Sequence, residues 1–535
     1  MKKVVVINLS LLLFLFYLPW KIQGQTLGDP GELPFRMDIE EVTNDKIPGL
    51  HSFAFARWDR WWIVAGGRIG GLHGFFPVTG FPEDEANTNI LLLDPLTGEV
   101  RSFPVQQLNI PFKDALSGTN PQYSQDGKML YIAGGYGKDK NQNKFVTFPV
   151  LTAIDLPLLV EKIITNSNPS QAVNQMESEF MRVCGGEMEK LGDWFYLVGG
   201  HTFSGLYSKS GAPIFTQAYT NEIRKFQIQL PITALSIVNS SVFKDENNLR
   251  RRDFSLAPII RPDGKEGLAL YGGVFRPEVD LPYYHPVYIA EDKPISVDLA
   301  YEQQFSQYTC PIVPIFDTKD GAMYSIFFAG LSTHYYDINS KKVVYDDRVP
   351  FIRDVTTMRR KADGSSREFI MPFRFDVLLG SNMIFVPNDK TPQFTNEVIK
   401  LRELDGKTFV GWLFGGIIAD IPNITTSRAS KRMFKVYLSP TISTPVRQEF
   451  TPFSKTNVFP NPYFSDSQLS LDQVSDADRV FLYDQQGRLL LNINKTDDAG
   501  LNSLKKTMES AMPGMYILRL YRKNESKSIK WIKLE

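Results

Sequence analysis

The chain of 535 residues is 43% apolar and 22% charged, a mix that buries a core and excludes wholesale disorder. Lys plus Arg and Asp plus Glu each number 59, so the formal charge is zero; this excludes the basic excess that a nucleic-acid or polybasic membrane-surface protein requires. Aromatics reach 13%, and 38 Gly and 34 Pro punctuate the chain, a texture of strands and turns.

Met1-Lys2-Lys3 is a short positive stretch before an apolar run at 4–18. Pro19 ends the run, and Ile22-Gln23-Gly24 offers a small residue for cleavage before Gln25. Residues 1–24 therefore read as a secretory signal peptide, too short and wrongly flanked for a spanning helix. No cysteine follows the run, so a lipid-anchored form is not expected. No later segment holds about 18 consecutive apolar residues, and the exported chain is read without a membrane span.

Residues 36–42 alternate like a strand but belong to no repeat. From 49 to 438 one unit recurs: an apolar strand, a tight turn, a second apolar strand and a Gly pair. The pairs are Gly66-Gly67, Gly134-Gly135, Gly199-Gly200, Gly272-Gly273 and Gly415-Gly416, with Ala329-Gly330 a weaker version. The turns are Asp-Gly at 126, 263, 320, 363 and 405. Asp-Gly between apolar runs signals a hairpin because the turn needs positive φ. A Gly pair lets a strand end bend where sheets crowd. A second register agrees, since Thr88-Asn89, Thr220-Asn221 and Thr395-Asn396 each precede a further apolar run. Strand-rich repeats of roughly 40 to 70 residues suit four-stranded propeller blades.

This unit resembles the kelch repeat, whose mark is the Gly-Gly pair closing the second strand. The resemblance spans 49–438 and is degenerate: the kelch Trp spacing is missing, and the fifth and sixth repeats lack the full pair where it is expected. It implies an all-β fold with a kelch-like β-propeller at 25–438. Six blades are read, at 49–106, 120–164, 181–238, 251–299, 307–347 and 353–438. A seventh stays open because the last segment holds an extra strand-like pair at 409–414 and 433–438. Residues 36–42 are expected to close the ring by joining the last blade, since an unpaired terminal blade leaves an open edge. Cys184 and Cys310 fall on innermost strands two blades apart, too distant for a disulfide, so two buried free thiols are expected.

In kelch-like rings the loop after the Gly pair lies on the usual binding rim. Here these loops are long, at 68–86, 136–148, 201–219 and 274–286, and long loops on a rigid scaffold carry function. Together with the shorter fifth-blade loop they hold the candidate binding set: Arg68, His73, Tyr136, His201, Arg276, His285 and His334. Four of the five histidines share this class of loop, yet nothing in their spacing makes a metal site. Galactose-oxidase-like propellers hold copper with two Tyr, two His and a Tyr–Cys crosslink. Neither Cys184 nor Cys310 has that context, so no metal or cofactor is assigned.

A second constellation is Arg182, Arg252-Asp253, Arg353-Asp354 and Arg367-Glu368, expected at inner-strand starts around a channel mouth. Arg forks there suit a carboxylate, phosphate or sulfate on a sugar, and Arg182, Arg252 and Asp253 are the candidates for catalysis. The competing reading is preferred: Arg–Asp pairs recur at equivalent places, as braces between blades do. No phosphate loop, His-Glu-x-x-His, Gly-x-Ser-x-Gly or EF-type calcium loop is present.

The last 83 residues, from Phe453, change texture. Asn457-Val458-Phe459-Pro460-Asn461-Pro462 opens them. Val480-Phe481-Leu482-Tyr483 then alternates into a tight turn at Gly487-Arg488, and Met512-Pro513-Gly514-Met515-Tyr516 leads to a Lys-rich strand at 527–533. Such alternation predicts a small antiparallel, immunoglobulin-like sandwich. In this order at a C-terminus the blocks resemble the type A sorting domain of the Bacteroidetes type IX secretion system. The resemblance implies passage across the outer membrane, after Sec export, to a secreted or cell-surface location. It also implies a partner, the type IX machinery.

The expected organisation is a signal peptide at 1–24, a propeller at 25–438, a linker at 439–452 and a sorting domain at 453–535. The first functional reading is a recognition protein whose aromatic- and His-lined loops bind a glycan or protein ligand, with enzyme activity left open by the alternatives. One alternative is a glycan-active propeller enzyme of epimerase or lyase type acting on an acidic sugar at the channel mouth. Another is a structural surface component.

Overall fold

Strand-forming runs separated by tight turns pair with their sequence neighbours, and in this chain they do so six times over. The computed structural model describes residues 27–208, 214–229, 235–423, 426–441, 471, 474, 477–494, 497–522 and 525–534. The expected signal peptide, the body of the expected linker and the opening of the expected sorting domain lie outside the described residues. The chain divides into two units, Met1–Ile442 and Ser443–Glu535.

In the first unit each of six sheets is built on four antiparallel strands. The first holds Ala54–Trp58, Trp61–Ala65, Asn89–Leu93 and Val100–Pro104 in spatial order. The second to fourth sheets repeat this meander, ending at Glu177, Lys244 and Val297. The fifth comprises Ile312–Asp317, Ala322–Phe328, Asp354–Arg360 and Ser366–Arg374; the sixth comprises Leu378–Pro387, Thr408–Ala419 and Met433–Pro440. Phe35–Val42 completes the sixth sheet, antiparallel to Met433–Pro440 from Phe35↔Pro440 to Val42↔Met433. The free N-terminal strand thus sits where it was expected, beside the last strand. Beyond it, the Thr441 N–H donates to the Pro34 carbonyl at 2.8 Å.

Both faces of the sheets are buried, each against a different neighbour. In Trp61–Ala65, Trp61, Ile63 and Ala65 join a cluster with Leu130 and Ile132 of the second sheet. Trp62 and Val64 join one with Val386, Trp412 and Phe414 of the sixth. Further clusters link the second sheet to the third, the third to the fourth, the fourth to the fifth and the fifth to the sixth. Strands buried on both faces lose their polar alternation, and this run of five apolar residues shows it.

The Gly pairs make the junctions. The Gly67 N–H donates to Gly118 O at 2.8 Å, Gly135 to Val183 O at 2.9 Å, Gly200 to Arg251 O at 2.7 Å and Gly330 to Leu379 O at 3.2 Å. Gly416 donates to Leu50 O at 2.9 Å, so the sixth sheet bonds back to the segment that opens the first. The first glycine of a pair has positive φ and no room for a side chain: a Cβ at Gly415 would stand 2.8 Å from Leu50 O, and Gly66 and Gly134 are tighter.

Several expected boundaries are corrected. The repeats read at 307–347 and 353–438 are instead sheets running from 312 to 374 and from 378 to 440. The misreading came from Asp363-Gly364, which joins the third and fourth strands of the fifth sheet rather than opening a new one. The pair at 409–414 and 433–438 belongs to the sixth sheet itself, and among the described residues it forms no seventh repeat of the meander. Thr395-Asn396 opens no strand; Thr395 Oγ1 donates to Glu266 at 2.7 Å. In the second sheet, Leu156–Ile164 is a helix capped by Asp155, and the fourth strand is Val173–Glu177.

In the second unit, Leu489–Ile493, Arg479–Asp484, Gly514–Arg522 and Glu525–Lys533 form one antiparallel sheet in that order. The helix Asp498–Ser510 shares a core with it, through Leu504 and Met508 beside Val480, Leu482, Leu518 and Trp531. Among the described residues this unit is therefore a sheet and a helix, not the two sheets of a sandwich.

Candidate functional site

The first strands of the six sheets line a central cavity of about 240 Å³. Six residues at or just before these strands, Ser52, Asn120, Gly185, Asp253, Thr309 and Asn382, take positive φ and line it. Their backbones hold one another: Asn120 N–H donates to Ser52 O at 3.0 Å, Gly185 to Asn120 O at 3.1 Å, Asp253 to Gly185 O at 2.8 Å and Asn382 to Thr309 O at 2.6 Å. The lining is acidic, with Glu187, Glu189, Asp253 and Glu397 and no Lys or Arg. Burial, reinforced by Glu189 and Asp253, pushes the Glu187 carboxyl up to about 8. Burial and Glu397 push Glu189 to about 8 as well.

Of the residues expected to ring a channel mouth, only Asp253 lines this cavity. Arg182 instead grips Glu179 with two hydrogen bonds of 2.7 and 2.6 Å and donates to Thr147 O at 2.8 Å. Arg252 lies over Phe275 at 5.1 Å, with its Nε 3.5 Å from Asp253 Oδ2. Arg353-Asp354 and Arg367-Glu368 open the third and fourth strands of the fifth sheet, which are not innermost. Asp354 is buried beside Arg374 at 3.1 Å, and Glu368 accepts the backbone N–H groups of Gln304 and Phe305. These are braces.

The loops after the Gly pairs assemble separately from the cavity. Hairpins from the second sheet (Tyr136–Asp139, Lys144–Thr147) and the third (His201–Gly205, Phe215–Tyr219) join in a four-stranded sheet of their own. Thr147 locks the join: its Oγ1 accepts the Phe203 N–H at 2.8 Å and donates to Phe203 O at 3.0 Å. Against this sheet packs the first-sheet loop. His73 stacks on Phe81 at 4.8 Å and meets Tyr207 edge-on at 4.7 Å; Phe81 lies 5.1 Å from Tyr136. Arg68 sits over Phe81 and pairs with Glu85 at 2.9 Å, while Tyr136 Oη donates to Gly205 O at 2.6 Å. Three candidates from two loops, Arg68 and His73 of the first sheet and Tyr136 of the second, thus meet in one aromatic cluster.

The other four are distributed. His201 is buried against Gln217 and Tyr219, and burial with the nearby Arg252 charge holds its imidazolium well below the usual range. Arg276 lies over Tyr284, whose hydroxyl is 3.4 Å from Thr333 Oγ1; that oxygen is 3.2 Å from His334 Nδ1. His285 stands apart, with Nδ1 2.9 Å from Tyr301 O and Nε2 3.8 Å from Glu302. Cys184 and Cys310 are buried free thiols, and burial pushes each up to about 12. No group of three or more His, Cys, Asp or Glu among the described residues is placed to hold a metal ion.

Sequence reasoning missed Glu187 and Glu189, which in Glu187–Leu191 look like the solvent side of an alternating strand. Their position on an innermost strand was the available signal. It also passed over His51, buried with Nδ1 2.9 Å from Ser52 Oγ and held near 3 by burial and Arg68.

Residues 457–534 match the model of the secretion system C-terminal sorting domain. The protein is exported by type IX secretion to the cell surface or the extracellular space. The sorting domain implies interaction with the type IX machinery. No helix among the described residues is long and apolar enough to cross a membrane. No curated protein matches the chain. Among solved structures, one titled "Structure of YjhT" is 12% identical over 71% of this chain and 94% of its own, with a TM-score of 0.39.

Proposed function

We propose that the first unit is a kelch-like six-bladed β-propeller and that the protein is a secreted or surface-displayed recognition protein whose loop face binds a glycan. In this reading the propeller runs to 438, a linker spans 439–452, and the sorting domain begins at 453. The Gly416–Leu50 bond and the apolar clusters between successive sheets support the ring. One observation carries the binding role: loops from three sheets bring Arg68, His73, Tyr136 and Tyr207 together around Phe81. Aromatic faces edged by polar atoms suit a sugar, which presents an apolar face and a hydroxyl rim. Beside them Phe75 and Phe76 are 38% and 61% exposed, more apolar surface than a solvated loop needs. The test is retention of the secreted protein on an array of neutral and acidic glycans. Retention that Phe75→Ala with Phe76→Ala weakens at least tenfold supports the reading, and no retention on any glycan overturns it.

A second reading, a glycan-active enzyme of epimerase or lyase type, is favoured by the central cavity. Carboxyls at about 8 are protonated at neutral pH, the state a general acid needs. Altered sugar formed by the protein and lost in Glu187→Gln would select this reading over simple recognition.

A further inference from the structure

Between the first-sheet loop and the second-sheet hairpin lies a slot of about 40 Å³, walled by Phe81, Tyr136 and Phe145. A single buried water needs only roughly 10–15 Å³, so the slot has room for a group larger than one water. Its hydrogen bonding is unbalanced. Asp114 is committed, accepting Gln106 Nε2 at 2.6 Å and the Lys140 backbone N–H at 2.9 Å. Arg68 commits Nη2 to Glu85 at 2.9 Å and to Pro82 O at 3.1 Å. What remains unpaired is Arg68 Nε, on a side chain only 5% exposed, and the buried Ser117 Oγ. Lys138 and Lys140 also line the slot and make no ion pair among the described residues. The lining carries three cations with Glu83 and Asp114, and Glu85 on Arg68 brings the carboxylates at the slot to three. The unused capacity is mainly for donation, and a buried donor without an acceptor is a cost that a ligand oxygen removes.

We propose that this slot is the carboxylate subsite of the loop face: it receives the carboxylate of a uronic acid residue, which accepts from Arg68 Nε and Ser117 Oγ. The proposal rests on the reading of that face as a glycan-recognition surface. Lys138 and Lys140 add charge at the slot, and the aromatic walls receive the apolar face of the ring. Arg68 and Ser117 are binding residues here, and no bond is made or broken.

Calorimetric titration of the full-length secreted protein with glucuronate, with glucose as the uncharged control, tests this. The expected result is at least tenfold tighter binding of glucuronate, competed by acetate and weakened at least fivefold by Ser117→Ala. Arg68→Lys, which keeps the charge and removes Nε as a fork donor, should abolish the preference. If that variant does not fold, Lys138→Met with Lys140→Met takes its place and should lower glucuronate affinity without changing glucose binding. Equal binding of the two sugars, or no effect of Ser117→Ala, overturns the assignment. Uncharged glycans retained with no glucuronate preference would remove the slot and leave recognition standing. Glucuronate bound with this Arg68 dependence, and no polymeric glycan retained, would keep the slot and remove the glycan reading.

Discussion

Glu187 and Glu189 hold their protons because their neighbours give them little else. They sit two apart on one strand, so both side chains face the cavity, where Asp253, Glu397 and Tyr123 also line the wall. Arg57 pairs with Glu397 and Arg252 with Asp253, which leaves no lining cation for these two carboxyls. Each has a folded value near 8 against an ordinary 4.5, so the folded state binds protons more tightly than the unfolded one. Their contribution to stability is complete below about pH 4.5 and is lost as pH rises towards 8. Thermal melts of the wild type should therefore show a midpoint that falls between pH 5 and 8. Glu187→Gln with Glu189→Gln should flatten that slope; an unchanged slope would place the titration elsewhere.

At the scale of the element, the Gly pairs and Asp-Gly turns look alike in sequence and differ in consequence. Gly127 in the Asp126-Gly127 turn has φ of 56° and open space where a Cβ would go. Gly134 has φ of 66° but faces the backbone of Met181 and Val183, the segment that leads into the third sheet. Gly127→Ala should cost only the strain of the left-handed backbone, about 1 kcal/mol. Gly134→Ala adds displacement of that segment and should cost about 3 kcal/mol or more, read as the difference in urea midpoints. Local features of this kind were legible: the hairpins, the Gly pairs and the closing strand all follow from neighbours in sequence. The fifth and sixth sheets were misplaced because Asp363-Gly364, the turn between the third and fourth strands of the fifth sheet, looks like the first turn of a new repeat. An Asp-Gly turn, moreover, reports a hairpin without saying which. In the second unit the helix had its own signal, with Asp497 capping the Gly500 N–H at 3.0 Å and Leu501, Leu504 and Met508 at helical spacing. Strand alternation on either side outweighed it.

At the scale of the whole molecule, the candidate site was half legible. Loop length and residue type marked Arg68, His73 and Tyr136, but their meeting depends on contacts between loops far apart in sequence. Nothing local says that His73 will find Tyr207 or that His285 will turn away to Tyr301. The cavity carboxyls needed the same long-range knowledge, since only the arrangement of six sheets makes the first strands face one another. One feature of that arrangement reaches further. Pro34 and Thr441 are hydrogen-bonded neighbours, so the N-terminal strand of the first unit begins beside the point where its last strand ends. The order of its sheets along the gene is then arbitrary as far as the folded state is concerned, and the unit tolerates being cut elsewhere. A circular permutant with 34 and 441 joined by a short Gly-Ser link and new ends opened at Glu246-Asn247, in the turn between the third and fourth sheets, should melt within about 5 °C of an unpermuted chain trimmed to the same residues, 34–441. Failure to fold would show that the N-terminal strand must be made first, and that the meeting of the two strand ends is a product of folding order rather than a freedom of the architecture.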